Sequence, residues 1–582
     1  MSFLVRSGSK SRTYLTNSPT PPLRINKLRQ RLFNTSPPAA AGNSAPSVFS
    51  EPRHNTSNPY DLEVVRDCDV EKFYSYTSGR WLWNEKQQFE RRYVRFNLPE
   101  LLNEAARATG ARRCVEVQKL PEGNFSKAFL ITMDDRQEIV AKLPNPNAGR
   151  SHYTTASEAA TMDYVRNLLQ IPAPKVLAWS SSTDNPVAAE YILMERSRGV
   201  ELGKIWDKVS WEARLQIVES LVSYEKAFVS ANLPMYGSIY YATDLKNLTS
   251  GQLVRTGGMD NQDKSFAIGP TTNRAFYDDG RDSVEVNRGP WPSLEEYIRS
   301  RADREFACLN KFSTYPSQQG LANGPHLYQP TKSFKLEALR NYMKVASQIM
   351  PDDPGLSKPV LWHSDLHADN IFVDPDEPTK ILNIIDWQAV NVSPLFLQAR
   401  HPSLIEFEGP VPEGFDPILL PDNFEQLSKE EQQQAKNLRA AQSIYKLYEI
   451  QMLSECPEIA RALRYRESLL GQITGIASSV ASDGEVILQG MLIRLHDKWF
   501  ECISSSTPCP LAFTANDRTR QADLQAKWSE GVELIHDLLT NIGAYQGWDG
   551  WVNHDNYDLY KDRLAKCRDE FFNRHAANED EK

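Results

Sequence analysis

The chain has 582 residues, of which 40% are hydrophobic, and it carries a formal net charge of −9. This composition excludes wholesale disorder, and an acidic body argues against general nucleic-acid binding, which needs a basic face. No apolar run approaches the roughly 18 residues that a membrane span requires, so none is expected. The seven cysteines are scattered without a CxxC pair, which gives no support to a zinc ribbon or a disulfide framework and favours a reducing compartment.

The N-terminal segment, residues 1–33, has the composition of a mitochondrial presequence. Residues 1–50 contain seven basic residues and no acidic one, and such a cationic segment follows a membrane potential that is negative inside. Arg31 stands three residues before Asn34, as in a mitochondrial processing site. We therefore predict a mitochondrial protein, with the matrix as the preferred compartment; the alternative is a disordered basic tail. Residues 34–57, rich in Pro, Ser, Ala and Asn, are predicted to be a flexible linker.

Residues 58–195 are predicted to form an N-terminal lobe of antiparallel strands with a helix. Asn97, followed by Glu100, is typical of a helix start, and Gly110 would end that helix. Beyond residue 114 the pattern becomes strand-like and is interrupted by a turn-forming segment at 121–127. In chain order, the pattern predicts strands near 114–117, 128–132 and 138–142, a helix over 155–169, and strands at 175–179 and 189–195.

Residues 196–582 are predicted to form a C-terminal, mainly helical lobe. Residues 243–292 are rich in Gly, Asn and Asp, which predicts a loop insertion. The helices after residue 429 would be accessory to the lobe, and the aromatic tail at 547–551 is predicted to be irregular. The helices of this lobe are predicted at 333–350, 429–455, 457–476, 484–505 and 520–541.

The sharpest local signal is the motif His363-x-Asp365-x-x-x-x-Asn370. A short apolar strand precedes it, and a predicted hairpin follows it and ends at Asp386, 16 residues beyond Asn370. Three fixed residues at this spacing are expected by chance fewer than about 0.1 times in a chain of this length. The motif and its surroundings are therefore the candidate for chemistry.

This arrangement resembles the catalytic segment of the aminoglycoside phosphotransferase and choline kinase group, relatives of the protein kinases. That group carries His-Gly-Asp-x-x-x-x-Asn followed by Ile-Asp-Trp or Ile-Asp-Phe, whereas this chain has Ser364 in place of the glycine and Gln388 after Trp387. The resemblance covers residues 110–400. It implies an α+β, two-lobed protein-kinase-like fold, in which a small antiparallel β lobe with a helix is joined to a large, mainly helical lobe.

The whole chain also resembles a fungal mitochondrial family named altered inheritance of mitochondria protein 9, which is described by its kinase-like domain. The segments that carry this second resemblance are 73–97, 266–270, 288–291 and 400–407. Together the two resemblances imply a mitochondrial phosphotransferase that depends on ATP and Mg²⁺ and acts on a hydroxyl group of a small molecule.

The first resemblance also implies roles for individual residues. Lys142 on the third strand would hold the α- and β-phosphates of ATP, and Glu158 on the next helix would fix it by ion pairing. Asn370 and Asp386 would be the ligands of Mg²⁺, which prefers oxygen donors. Asp365 would accept or orient the proton of the attacking hydroxyl.

The nucleotide is expected between the two lobes. The loop at 121–127, with Gly123 and Ser126, would cover the phosphates with backbone amides, although a single glycine makes this loop a weak signal by itself. Adenine would hydrogen-bond to the backbone near Met194–Ser197, which includes Glu195 and lies where the strand-rich half meets the helix-rich half. His363, at the start of the motif, is expected to brace the catalytic loop.

Each role has a plainer alternative. Asp365 and Asn370 would then cap or form a turn, and Asp386 would cap a strand end. Lys142 would be a solvated lysine on an edge strand, and Glu158 would form a capping box with Thr155. His363 and His367 lie four residues apart, but the acid between them is misplaced for His-Glu-x-x-His, which disfavours zinc.

Two further functions stay open. A nucleotide-binding pseudokinase or scaffold would suit the glycine-poor loop and the accessory helices. An atypical protein kinase is disfavoured, because Asp-Phe-Gly and Ala-Pro-Glu are absent after Asp386. A cationic acceptor would suit acids of the large lobe such as Glu406 or Glu408.

Overall fold

The computed structural model describes residues 67–245, 252–254, 265–313, 327–412, 414, 416–503, 507–545 and 547–575. The predicted presequence, 1–33, and the predicted linker, 34–57, lie outside the described residues, and both stay predictions. None of the helices within the described ranges is long and apolar enough to cross a membrane.

The N-terminal lobe is built on a five-stranded antiparallel sheet. The elements of this lobe are α1 (Asp67–Tyr74), β1 (Arg80–Trp81), α2 (Glu85–Glu90), α3 (Leu98–Thr109), β2 (Cys114–Lys119), β3 (Ser126–Met133), β4 (Glu138–Pro144), α4 (Tyr153–Asn167), β5 (Val176–Ser180) and β6 (Tyr191–Glu195). The strands of the sheet follow the order β2-β3-β4-β6-β5, so β4 is the central strand.

Helix α3 closes one face of this sheet. Alternate residues of β3 are buried, and Phe129 and Ile131 share a core cluster with the apolar residues of α3. Asn97 accepts a hydrogen bond from the backbone N–H of Glu100, and Gly110 follows the helix in the left-handed conformation (φ 76°). The predicted start and end of this helix are therefore confirmed.

Helix α4 lies between the other face of the sheet and the large lobe. Ala159 of α4 belongs to the same core cluster as Ile192 of β6 and many apolar residues of the large lobe. The helix begins at Tyr153 rather than at the predicted Thr155. The reason is that the Thr155 hydroxyl donates a hydrogen bond to Glu190 (2.6 Å) instead of capping the helix.

The C-terminal lobe is mainly helical. Its elements before His363 are β7 (Val200–Glu201), α5 (Leu202–Ile205), α6 (Trp211–Ser230), β8 (Ser238–Tyr241), β9 (Gln252–Val254), β10 (Phe266–Gly269), α7 (Leu294–Lys311), α8 (Lys332–Val345), α9 (Pro354–Ser357) and β11 (Pro359–Trp362). The elements that follow are β12 (Ile371–Val373), β13 (Ile381–Ile384), β14 (Asn391–Pro394), α10 (Leu395–Gln398), α11 (Lys429–Glu455), α12 (Pro457–Glu467), α13 (Leu469–Ile476), α14 (Glu485–Asp497), α15 (Trp499–Cys502), α16 (Ala515–Ile542), β15 (Trp551–Val552) and α17 (Tyr557–His575).

The segment predicted as a loop insertion, 243–292, contains regular structure. Strands β9 and β10 join β8 in an antiparallel sheet with the order β8-β10-β9. Phe266 and Ile268 of β10 are buried in the core of the large lobe. The insertion is therefore packed against the lobe rather than being loop throughout.

The helices after residue 429 differ from the prediction mainly at their junctions. Helix α11 has the predicted bounds. The single helix predicted over 457–476 is divided at Ser468, whose hydroxyl accepts a hydrogen bond from the Gly471 N–H (3.2 Å) and so begins a new helix. The aromatic tail is not irregular throughout, because β15 pairs with β1 of the small lobe.

Candidate active site

Lys142 lies on the central strand of the small lobe. At its position β4 pairs with β3 through Ala128 and with β6 through Ile192, so the edge-strand alternative is excluded. The lysine side chain is 9% exposed. Its Nζ donates to Glu158 Oε1 at 2.6 Å and to Asp386 Oδ1 at 2.8 Å.

Lys142, Glu158 and Asp386 form a group of three interacting charges, which we name the ion triad. Burial works against the charged lysine, but the two carboxylates hold the pKa of Lys142 above its usual range. Burial raises the pKa of Glu158, and Lys142 opposes this shift. Burial also tends to raise the pKa of Asp386. The positive charge of Lys142 outweighs this effect and holds the pKa of Asp386 below its usual range. Lys142 is thus protonated and Asp386 ionised at neutral pH.

His363, directly after β11, is a buried bracing residue. Its Nδ1 accepts a hydrogen bond from the Asp365 N–H (3.3 Å), so Nε2 carries the proton and donates to the Ile385 carbonyl (3.0 Å). The ring packs edge-on against Trp387, with centroids 4.7 Å apart. Burial lowers the pKa of His363, which keeps the imidazole neutral. His363 therefore ties the segment of Asp365 to the segment of Asp386.

Asn370 and Asp386 lie at the same end of the β12–β13 hairpin. The Asn370 carbonyl accepts a hydrogen bond from the N–H of Ile385 (2.9 Å), the residue before Asp386. The side-chain amide of Asn370 donates to the Asp365 carbonyl (2.9 Å). Asp386 adopts the left-handed conformation (φ 63°), which is uncommon outside glycine and concentrates at functional sites.

Asn370 and Asp386 provide oxygen atoms of the kind that Mg²⁺ binds. The Asp386 side chain is 43% exposed, although its Oδ1 contacts Lys142. The amide nitrogen of Asn370 is engaged by Asp365, so the amide oxygen is the atom left to act as a ligand. Mg²⁺ typically takes one or two protein oxygens and completes its shell with water and phosphate oxygens. The residues present therefore fit this ion.

Asp365 is partly exposed, and its carboxylate lies 3.7 Å from His367 Nε2. Arg400 reaches the same loop and donates from Nη1 to the Ser364 carbonyl (3.3 Å). Burial lowers the pKa of Arg400, and the negative charges of Asp365 and Glu406 oppose that shift. Arg400 was missed in the sequence because nothing within its own segment points to this loop. The region of Glu406, where acidic residues were predicted to favour a cationic acceptor, thus also contains the positive charge of Arg400.

The loop between β2 and β3 is held by an ion pair that sequence reasoning missed. The fully buried carboxylate of Glu122 contacts Lys127 Nζ at 2.7 Å. Ser126 is the first residue of β3, two positions before the residue that pairs with Lys142. An added Cβ at Gly123 would meet no atom within 4 Å, so the space beside this glycine is open. In the sequence, the only indication of this ion pair was that Glu122 and Lys127 lie five residues apart across a predicted turn.

Glu195 is the last residue of β6 and leads into the connection between the lobes. Its N–H donates to the Lys175 carbonyl (2.9 Å), and its carboxylate lies 3.6 Å from Arg166. Both groups are thus engaged within the small lobe.

The fold and the site define a protein-kinase-like protein. A small antiparallel sheet carries a lysine that pairs with a glutamate on the following helix. The motif of His363, Asp365 and Asn370 and the hairpin that follows it lie within the larger, helical lobe and reach the same lysine through Asp386. The predicted α+β, two-lobed layout is confirmed.

No family model matches the chain. A subtelomeric hrmA-associated cluster protein of Aspergillus fumigatus is 28% identical over 500 residues, covering 80% of this chain and 95% of that protein. Altered inheritance of mitochondria protein 9, mitochondrial, is 24% identical in Yarrowia lipolytica over 544 residues and 22% identical in a Saccharomyces cerevisiae strain over 578 residues, each covering 87% of this chain and 90% of the relative. The predicted resemblance to that family is confirmed. The names of these relatives also confirm the mitochondrial localisation, while the matrix stays a prediction.

Two solved structures of aminoglycoside phosphotransferases are also similar to the chain. One is a ternary complex with AMP-PNP and hygromycin B; it is 15% identical, covers 74% of this chain and 98% of its own, and has a TM-score of 0.33. The other is a ternary complex with streptomycin and ATP; it is 13% identical, covers 72% of this chain and 98% of its own, and has a TM-score of 0.34.

Proposed function

We propose that the chain is a mitochondrial phosphotransferase that uses ATP and Mg²⁺ and transfers the γ-phosphoryl group to a hydroxyl of a small molecule. The observation that carries the proposal is the ion triad. Lys142, Glu158 and Asp386 come from three separate segments and are joined by contacts of 2.6 and 2.8 Å. Burying such charges costs desolvation free energy, and charged groups perturbed in this way cluster at functional sites.

Each residue of the site then has a task. Lys142 would contact the phosphates of ATP, and Glu158 holds the lysine side chain in place through its ion pair. Asp365, which is partly exposed, orients the acceptor hydroxyl and takes its proton. Asn370 and Asp386 would hold Mg²⁺, which when bound would supply compensation of the phosphate charge. Alignment and charge compensation are the main requirements of phosphoryl transfer, and these residues supply both.

The test is to incubate the purified chain with Mg-ATP and a mitochondrial metabolite extract and to seek phosphorylated products by mass spectrometry. Asp365→Asn should remove turnover while leaving nucleotide binding largely intact. Asp386→Ala should remove the Mg²⁺-dependent rise in melting temperature that ATP causes. Asp376→Asn is a matched control, because Asp376 is an exposed turn residue of the same hairpin. Normal turnover in both site variants would refute the mechanism.

A nucleotide-binding pseudokinase is the second candidate. The observation that favours it is the direct contact of Lys142 with Asp386, which compensates the charge of the lysine before any phosphate arrives. A rise in melting temperature with Mg-ATP, combined with no ATP consumption in the presence of the extract, would identify this function. Product formation that is lost in Asp365→Asn would exclude it.

A further inference from the structure

Two segments that are far apart in the sequence meet beside residues 121–127, which we name the nucleotide loop, and the proposed function gives neither of them a task. Residues 75–82 and 548–554, which we name the terminal brace, pair through strands β1 and β15. Trp551 Nε1 donates a hydrogen bond to the Tyr76 hydroxyl (2.9 Å). The C-terminal part of the chain is thereby attached to the small lobe.

The terminal brace holds the nucleotide loop through Glu122. The buried carboxylate of Glu122 accepts hydrogen bonds from the Thr77 N–H (2.6 Å) and the Thr77 hydroxyl (3.1 Å). The same carboxylate pairs with Lys127 at 2.7 Å and with Lys119 at 2.9 Å. The backbone N–H of Glu122 donates to the Ser78 hydroxyl (2.7 Å). Side chain and backbone of Glu122 are thus both fixed by the brace.

The loop is also fixed on the other side of its single glycine. Arg92 lies over the Trp81 ring of the brace, 4.3 Å from its centroid, and its Nη2 donates to Asn124 Oδ1 (3.4 Å). The Phe125 ring lies 3.3 Å from the guanidinium carbon of Arg274, which belongs to the large lobe. Residues before and after the glycine are therefore held without any nucleotide.

We propose that the terminal brace positions the nucleotide loop over the phosphates of ATP, which makes Glu122 and the C-terminal residues 548–554 positioning elements for nucleotide binding. This inference rests on the proposed function. A glycine-rich loop loses conformational entropy when it closes on a ligand. A loop that is already fixed avoids much of that loss on binding. The brace thus gives a physical reason why one glycine is sufficient here.

Gly79→Ala tests the brace where its two segments cross. A Cβ at residue 79 would lie 2.5 Å from the Val552 carbonyl oxygen and 2.6 Å from Trp551 Nε1, so β1 and β15 must separate. Gly475→Ala is the matched control, since a Cβ there would meet no atom within 4 Å. Trp551→Phe is a milder second variant that removes the hydrogen bond to Tyr76 and keeps an aromatic ring, should Gly79→Ala fold poorly.

The dissociation constants of Mg-AMP-PNP and of adenosine are compared by isothermal titration calorimetry. We expect Gly79→Ala to weaken AMP-PNP binding about tenfold, Trp551→Phe to weaken it less, and both to leave adenosine binding unchanged, because the loop acts on phosphates. Unchanged AMP-PNP binding, or an equal loss for the two ligands, would overturn the inference while the proposed function stands. A wild-type chain that binds neither ligand would overturn the proposed function, and the inference with it.

Discussion

Replacing Lys142 by methionine should destabilise the chain far more than the loss of one hydrogen bond. The lysine contacts two carboxylates, of which that of Glu158 is only 3% exposed. Without the cation, the buried carboxyl group of Glu158 loses its compensating charge and is left beside the carboxylate of Asp386. Removing one partner of a buried ion pair costs about 3–5 kcal/mol, so we expect the free energy of unfolding to fall by about that amount.

A double-mutant cycle with Glu158→Gln separates the charge effect from lost packing. Glu158→Gln alone leaves the contact between Lys142 and Asp386 in place, so it should cost about 1–3 kcal/mol. In the double variant the buried carboxylate is removed together with its cation. The loss should therefore be smaller than the sum of the two single losses by about 1–3 kcal/mol.

Urea unfolding at pH 7, followed by tryptophan fluorescence, measures the free energy of unfolding of each variant. Lys86→Met is the control, because its side chain is 89% exposed and the change should stay within about 0.5 kcal/mol. Additive losses in the cycle, or a loss in Lys142→Met no larger than in the control, would refute the reasoning from buried charge.

Three further predictions concern other parts of the chain. Burial raises the pKa of Glu225 to about 8, against the hydrogen bond from Tyr448; stability is then lost as the pH rises from about 4.5 to 8, and Glu225→Gln should flatten this slope in urea titrations at pH 5 and pH 8. His363→Ala should lower kcat about a hundredfold with a nearly unchanged KM for ATP in initial-rate kinetics, because the Asp365 N–H loses its hydrogen bond to the imidazole. Ser468→Ala should lower the free energy of unfolding by about 1 kcal/mol in urea, and no change would contradict its role as a helix cap.

The grouping of the motif residues with Asp386 could be predicted because its signal is local. His363, Asp365 and Asn370 lie within eight residues, and one hairpin brings Asp386 back to them. Helix α11 was likewise predicted at its observed bounds, and in the structure Ser428 forms a capping box at its start. Patterns of this kind depend on the spacing of neighbours in the chain, which the sequence displays directly.

The contacts that could not be predicted join distant segments. The partner of Glu122 in the brace, Thr77, lies 45 residues away, and Trp551 reaches Tyr76 across 475 residues. Arg400 meets the catalytic loop 36 residues from Ser364. The strands β8 to β10 have only three or four residues each, which is too short for a period of two to be distinguished from a loop.

The ion triad joins three residues that are distant in the sequence. Its charges also make the stability of the site depend on pH. The lowered pKa of Asp386 contributes stability that is present above its unfolded pKa and is lost as the pH falls. The raised pKa of Glu158 has the opposite sign, so its contribution is present in acid and is lost as the pH rises. Because the pKa of Glu158 is raised and that of Asp386 is lowered, Glu158 is protonated first as the pH falls, which leaves the charge of Lys142 to Asp386. We therefore expect the contact between Lys142 and Asp386 to persist to lower pH than the ion pair between Lys142 and Glu158. As the pH falls, Lys142 should lose its ion pair with Glu158 before Asp386 is protonated.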